Sequence, residues 1–175
     1  MTWWTEQGLD PKRKNRFKVL INNIFVGYAT SVGKPKVTID SKEYKMINHF
    51  YKYPGIAKWE DITISFVDMY SKDASHDTSE FLFNILKKSG YDNPGKSSSG
   101  AVGKNLSSQA VGDIIIQQLN GDGDEIETWT LKQCIISSLE WGDLSYSEDG
   151  LVEYKMGIKY DYAQFSKPKQ TQQGG

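Results

Sequence analysis

The chain has almost none of the side chains that usually carry chemistry. It holds one cysteine, Cys134, and two histidines, His49 and His76. A single cysteine excludes an internal disulfide and fits a reducing compartment, or a particle assembled inside one. Metal-ligand spacing of the Cys/His kind is absent. Cys134 lies in Leu131-Lys132-Gln133-Cys134-Ile135-Ile136, a strand-like run where a buried structural thiol is the usual case. No glycine-rich phosphate loop follows a strand; Gly121-Asp122-Gly123 fits neither the Walker nor the dinucleotide pattern. Asn120, Asp122 and Asp124 resemble the start of a calcium loop. Glu125 stands where that loop needs glycine, and no helices flank it, so the segment reads as an acidic turn. Pairs such as Glu60-Asp61 and Glu148-Asp149 carry no glycosidase signal alone in a chain with 22 acidic residues. The expectation is no catalytic residue, no cofactor and no metal: not an enzyme.

Other absences narrow the class. No apolar run approaches the roughly 20 residues of a membrane span. The opening Met-Thr-Trp-Trp-Thr-Glu lacks the basic and apolar regions of an export signal. Lys+Arg total 21 and Asp+Glu 22, so bulk charge gives no reason to bind nucleic acid or an anionic membrane. What is present is 38% hydrophobic and 13% aromatic residues over 175 positions. That suffices for one cored domain and suits β-structure and buried subunit contacts.

Residues 1–15 read as an arm. Trp3 and Trp4 precede Gly8 and Pro11, and Lys12, Arg13, Lys14 and Arg16 follow. It is either a solvated terminus or an arm that anchors on a neighbouring subunit through the two tryptophans. The basic cluster is short and lacks the interleaved aromatics of a nucleic-acid site. The domain spans 16–165. Phe17–Ile21 and Ile24–Thr30 are β-rich runs around Asn22-Asn23, a hairpin signal. Lys36–Ile47 alternates until Ser41, then slips parity, as at a bulge or turn. Tyr53-Pro54-Gly55 signals a turn. Trp59–Tyr70 reads as a strand with Ile62, Ile64 and Phe66 on one face.

One helix is clear. Asp77 is its cap, Glu80 stands three residues on, and Phe81, Leu82, Ile85 and Leu86 form the stripe. Lys87 and Lys88 fill the last turn, and Gly90 suits the position just beyond it. Residues 91–112, rich in Ser and Gly, read as a flexible outer loop. Strands resume at Asp113–Leu119 and about Glu125–Leu139. The last strand alternates most cleanly, with Val152, Tyr154, Met156, Ile158, Tyr160 and Tyr162 on one face. Glu153, Lys155, Lys159 and Asp161 lie on the other. Residues 166–175 read as a disordered tail. The sum is mainly β: two packed antiparallel sheets, roughly eight strands, with one flanking helix.

Three stretches resemble the tail tube (Hcp-like) family of contractile-tailed bacteriophages. They are the opening pair Phe17–Ile21 and Ile24 onward to Val32, the block from Tyr53-Pro54-Gly55 through Trp59 to Phe66, and Gly142–Tyr146 leading into Val152–Tyr162. The resemblance implies a sandwich with a side helix, subunits in hexameric rings, and rings stacked as a tube whose inner strands form one barrel. Its implied partners are sheath outside, baseplate proteins, and tape measure protein and then genomic DNA in the lumen. It implies a virion location, assembly in the host cytoplasm, and no catalytic residue. Glu153, Lys155, Lys159 and Asp161 are the candidate channel-facing residues, and Trp3 and Trp4 the candidate inter-subunit anchors. Related readings are a baseplate or tube-initiator ring and a type VI secretion tube protein. A β-sandwich glycan-binding module has only the Trp and Tyr count behind it, and a small hydrolase has no nucleophile–base signature.

Overall fold

The computed structural model describes residues 11–26, 28–70, 77–93 and 101–168. Among the described residues, eleven strands and two helices run in the order β1 (Phe17–Ile21), β2 (Ile24–Phe25), β3 (Ala29–Val32), β4 (Val37–Met46), β5 (His49–Trp59), β6 (Ile62–Val67), α1 (Thr78–Lys88), α2 (Lys104–Val111), β7 (Ile114–Leu119), β8 (Glu125–Lys132), β9 (Ile135–Glu140), β10 (Glu153–Lys159) and β11 (Tyr162–Ser166). All pairings among them are antiparallel. A five-stranded sheet has the order β11-β8-β7-β1-β2, and a four-stranded sheet the order β3-β6-β10-β9. The pair β4–β5 stands apart from both.

Local chemistry explains several of these elements. Asn22 and Asn23 both take positive φ, 51° and 61°, the turn whose twist suits a two-residue hairpin between β1 and β2. Asp77 caps α1, accepting from the backbone N–H groups of Ser79 and Glu80 at 3.0 and 3.2 Å. Gly90, at φ 106°, follows the Ser89 cap and ends the helix. In the acidic turn, Asn120 Oδ1 accepts from the N–H groups of Asp122 and Asp124, at 2.9 and 2.8 Å. That carbonyl is spent on the turn itself.

The core lies between the sheets. Val19 and Ile21 of β1, Ile114 and Ile116 of β7, and Leu131 of β8 face Ile64, Phe66, Met156 and Ile158 of the other sheet. Leu82 and Ile85 of α1 and Val111 of α2 close the side. Cys134 is buried at the passage from β8 to β9, where its thiol meets the Leu131 carbonyl at 3.4 Å. Desolvation there pushes the thiol up to about 12, so it stays protonated and inert.

The structure corrects several expectations, among them the run Glu125–Leu139, which is two strands, β8 and β9, in different sheets. Part of 91–112 is a second helix, α2, not a loop. Its Lys-Asn-Leu-Ser-Ser-Gln-Ala-Val sequence has modest propensity, and burial of Ser107 and Val111 beside α1 holds it. Residues 94–100 of that stretch lie outside the described residues. Tyr53-Pro54-Gly55 is no turn but part of β5. There the register shifts, with Ile39 facing Ala57 and Ser41 facing Pro54, so Gly55-Ile56 bulge opposite Asp40. A Cβ on Gly55 would sit 2.7 Å from the Asp40 carbonyl oxygen, so the bulge needs glycine. The run from Trp59 to Tyr70 is not one strand: Trp59 ends β5, and β6 begins at Ile62. The long last strand is two. Tyr154, Met156, Ile158 and Tyr160 stay buried, but the chain turns at Tyr160-Asp161 into the other sheet, and Tyr162 is exposed.

Candidate assembly surface

The surfaces left over by the core are unusual for an isolated domain. The β4–β5 hairpin has almost no core of its own. At its base Val37 faces Trp59 and Ile39 faces Ala57 across the pair. Trp59 alone reaches inward, its ring 6.0 Å from that of Tyr160. Beyond the bulge the apolar side changes face. Tyr44 pairs with Tyr51 and Met46 with His49, while Glu43 pairs with Lys52 behind them. Tyr44 packs edge-on against Tyr53 and His49 against Tyr51, with centroids 5.5 and 4.9 Å apart. Tyr44, Met46, Ile47, Tyr51 and Tyr53 are all exposed, Ile47 at 89%. Ile47 also holds φ 51°, a conformation that β-branched residues avoid. A two-stranded ribbon of this size is marginal in water unless something covers it.

The solvent face of the four-stranded sheet is the opposite kind of surface. Ser31, Ser65, Lys155 and Glu140 align across it in register, as do Thr63, Gly157 and Ser138. Gly157 lies under the hydroxyls of Ser137 and Ser138; an added Cβ would meet them at 2.7 and 2.5 Å. This wall is hydroxyl-rich and carries Glu153, Lys155 and Lys159, all exposed. Lys159 reaches Asp61 at 3.7 Å. Asp161 does not belong to that face. It sits past the end of β10, tied to Lys104 of α2 at 2.7 Å. Trp3 and Trp4 lie outside the described residues.

One constellation escaped sequence reading. Glu127 is buried on β8 and gathers Lys12, Lys34 at 2.7 Å and the Trp129 indole N–H at 2.7 Å. Burial pushes its carboxyl up, yet these three donors outweigh burial and hold it at about 2. The cluster pins the segment before β1 onto the body. Its two lysine partners lie 93 and 115 residues away along the chain, so no local motif announces the cluster. Among the described residues no group of three or more His, Cys, Asp or Glu could hold a metal ion, and no helix is long and apolar enough to cross a membrane.

Comparison with known proteins supplies the family and the fold. Residues 13–164 match the family described as T4-like virus tail tube protein gp19. No curated protein matches. Among solved structures, the anti-feeding prophage cap, a tube-terminating cap, superposes with a TM-score of 0.66 at 17% identity, covering 91% of this chain and 93% of that one. An extracellular contractile injection system, the PVC sheath-tube complex in its extended state, gives 0.66 at 16%, covering 90% and 93%. A type six secretion system protein gives 0.51 at 8%, covering 90% and 86%. The expected mainly β tube fold is therefore the observed one. The chain belongs to the tail tube family of T4-like viruses and is a structural tube subunit of a phage or injection-system particle.

Proposed function

We propose that copies of this chain close into rings of six and that the rings stack into a tube. The observation that carries this reading is the β4–β5 hairpin, an exposed apolar ribbon that the monomer leaves without a cover. A neighbouring copy supplies that cover. The channel wall is the hydroxyl-rich face of the four-stranded sheet, with Glu153, Lys155 and Lys159 on it. With Glu140 in register with Lys155 and Asp61 beside Lys159, the charge on this wall nearly cancels; that supports the assignment, since a wall rich in unpaired cations would hold passing phosphate. Asp161 is left out of the lumen by its pairing with Lys104. Trp3 and Trp4 anchor the arm on a neighbour.

By likeness to the sheath-tube complex and the anti-feeding prophage baseplate, sheath lies outside and baseplate below. Tape measure protein and then DNA occupy the lumen, and assembly takes place in the host cytoplasm. A terminal or baseplate ring is the second reading, favoured by the equal likeness to a tube-terminating cap. Negative-stain microscopy of the purified chain decides. Long tubes support the first reading, single rings the second, and monomers at every concentration contradict both.

A further inference from the structure

Two surfaces on opposite edges of the four-stranded sheet fit one another. Beside edge strand β3 lies a groove of about 670 Å³. Its floor is apolar, with Phe17, Val32 and Ile116, and Lys12, Lys14 and Lys34 stand on its rim. Glu127 neutralises part of that charge through Lys12 and Lys34. Lys14 has no ion pair among the described residues. At the other edge, β9 runs out into the 141–152 loop. Between Glu140 and Glu153 this segment carries Asp143, Glu148 and Asp149 and not one Lys or Arg. None of these five acids is in an ion pair among the described residues; Lys155 is the cation that shares a cleft with Glu140, Asp143 and Glu153. The loop also presents apolar side chains to water: Leu144 is 87% exposed, Leu151 79%, and Tyr146 fully.

We infer that the 141–152 loop of one copy docks into the groove beside β3 of the next. Leu144 and Tyr146 lie on the apolar floor, and Glu148 and Asp149 meet the lysine rim. This rests on the ring reading above and names the contact between neighbours. Charge complementarity selects a second copy as the occupant, because the chain itself supplies both halves. Because loop and groove sit on opposite edges of one sheet, the contact is head-to-tail. Such a contact repeats around a ring instead of ending at a dimer. Complementary charge of this kind sets register and rate, while the buried apolar groups supply most of the affinity.

The test uses the full chain and its concentration threshold for ring formation. Lys14→Glu is one variant; Glu148→Lys with Asp149→Lys is the other. All three positions are exposed and outside the Glu127 cluster, and monomer circular dichroism checks their fold. Each variant alone opposes like charges and should raise the threshold about tenfold or more. An equimolar mixture restores opposite charges at every contact, and alternation closes an even-numbered ring. It should return to within about threefold of wild type. Leu144→Ser with Tyr146→Ser should also abolish rings without lowering the monomer's melting temperature.

Unchanged thresholds in the variants, or a mixture no better than either alone, would overturn the contact while wild-type rings leave the tube reading standing. Wild-type chains that never form rings would overturn both. A chain lacking residues 1–10 that loses its rings, while the loop variants keep theirs, would give the contact between neighbours to the opening segment in place of the loop and also overturn the inference.

Discussion

At the scale of single residues, burial on β10 separates neighbours of very different weight. Ile158 is fully buried between the sheets, and Lys159 is exposed beside Asp61. Ile158→Ala should cost about 2–5 kcal/mol in urea denaturation, through lost transfer energy and a cavity. Lys159→Ala should cost about 0.5 kcal/mol or less, because an exposed pair contributes little. Equal costs would contradict the assignment of faces. Glu127 makes a second residue-scale prediction. Its folded value, about 2, lies below the unfolded 4.5. Its contribution is therefore complete above about pH 4.5 and is lost as pH falls toward 2. Stability of wild type should fall more steeply over that window than stability of Glu127→Gln. Parallel curves would mean that the three donors add nothing. The alternation from Tyr154 to Tyr160 made the β10 core face readable from sequence. Glu127 was unreadable, because its meaning comes from lysines distant in the chain.

At the scale of elements, the sequence disclosed what is locally determined. Asn22-Asn23, the Asp77 cap and Gly90 each settle a turn or a helix end with their own backbone preferences. The α1 stripe was visible for the same reason. Helix α2 was not, since its serines favour turns and only contact with α1 makes it worth forming. The corner at Tyr160-Asp161 was also hidden: period-two alternation runs through it unbroken, and nothing local reports a change of sheet. The hairpin β4–β5 is the element whose stability depends most on context. In unassembled protein its amides should exchange with solvent within seconds to minutes, far faster than those of β6 and β10; assembly should slow them by orders of magnitude. Equal protection in both states would mean that the hairpin needs no cover. Gly55→Ala should disrupt the bulge and misalign the tip, weakening assembly while the melting of the two-sheet core stays within about 1 kcal/mol of wild type.

At the scale of the whole molecule, the candidate site is a set of surfaces, and only part of it was legible. Three of the four charged residues assigned from alternation do share one exposed face; the fourth belongs to a corner. The hairpin's exposed apolar ribbon escaped, because its alternation reads as that of any half-buried strand until the sheets are known to leave it out. On the ring proposal, this subunit is incomplete alone and is completed by copies of itself. Sedimentation velocity over a wide concentration range tests it most directly. The expected result is a shift from monomer to a species about six times its mass, and then to heavier stacks, as concentration rises. A monomer that persists unchanged at every concentration would contradict it.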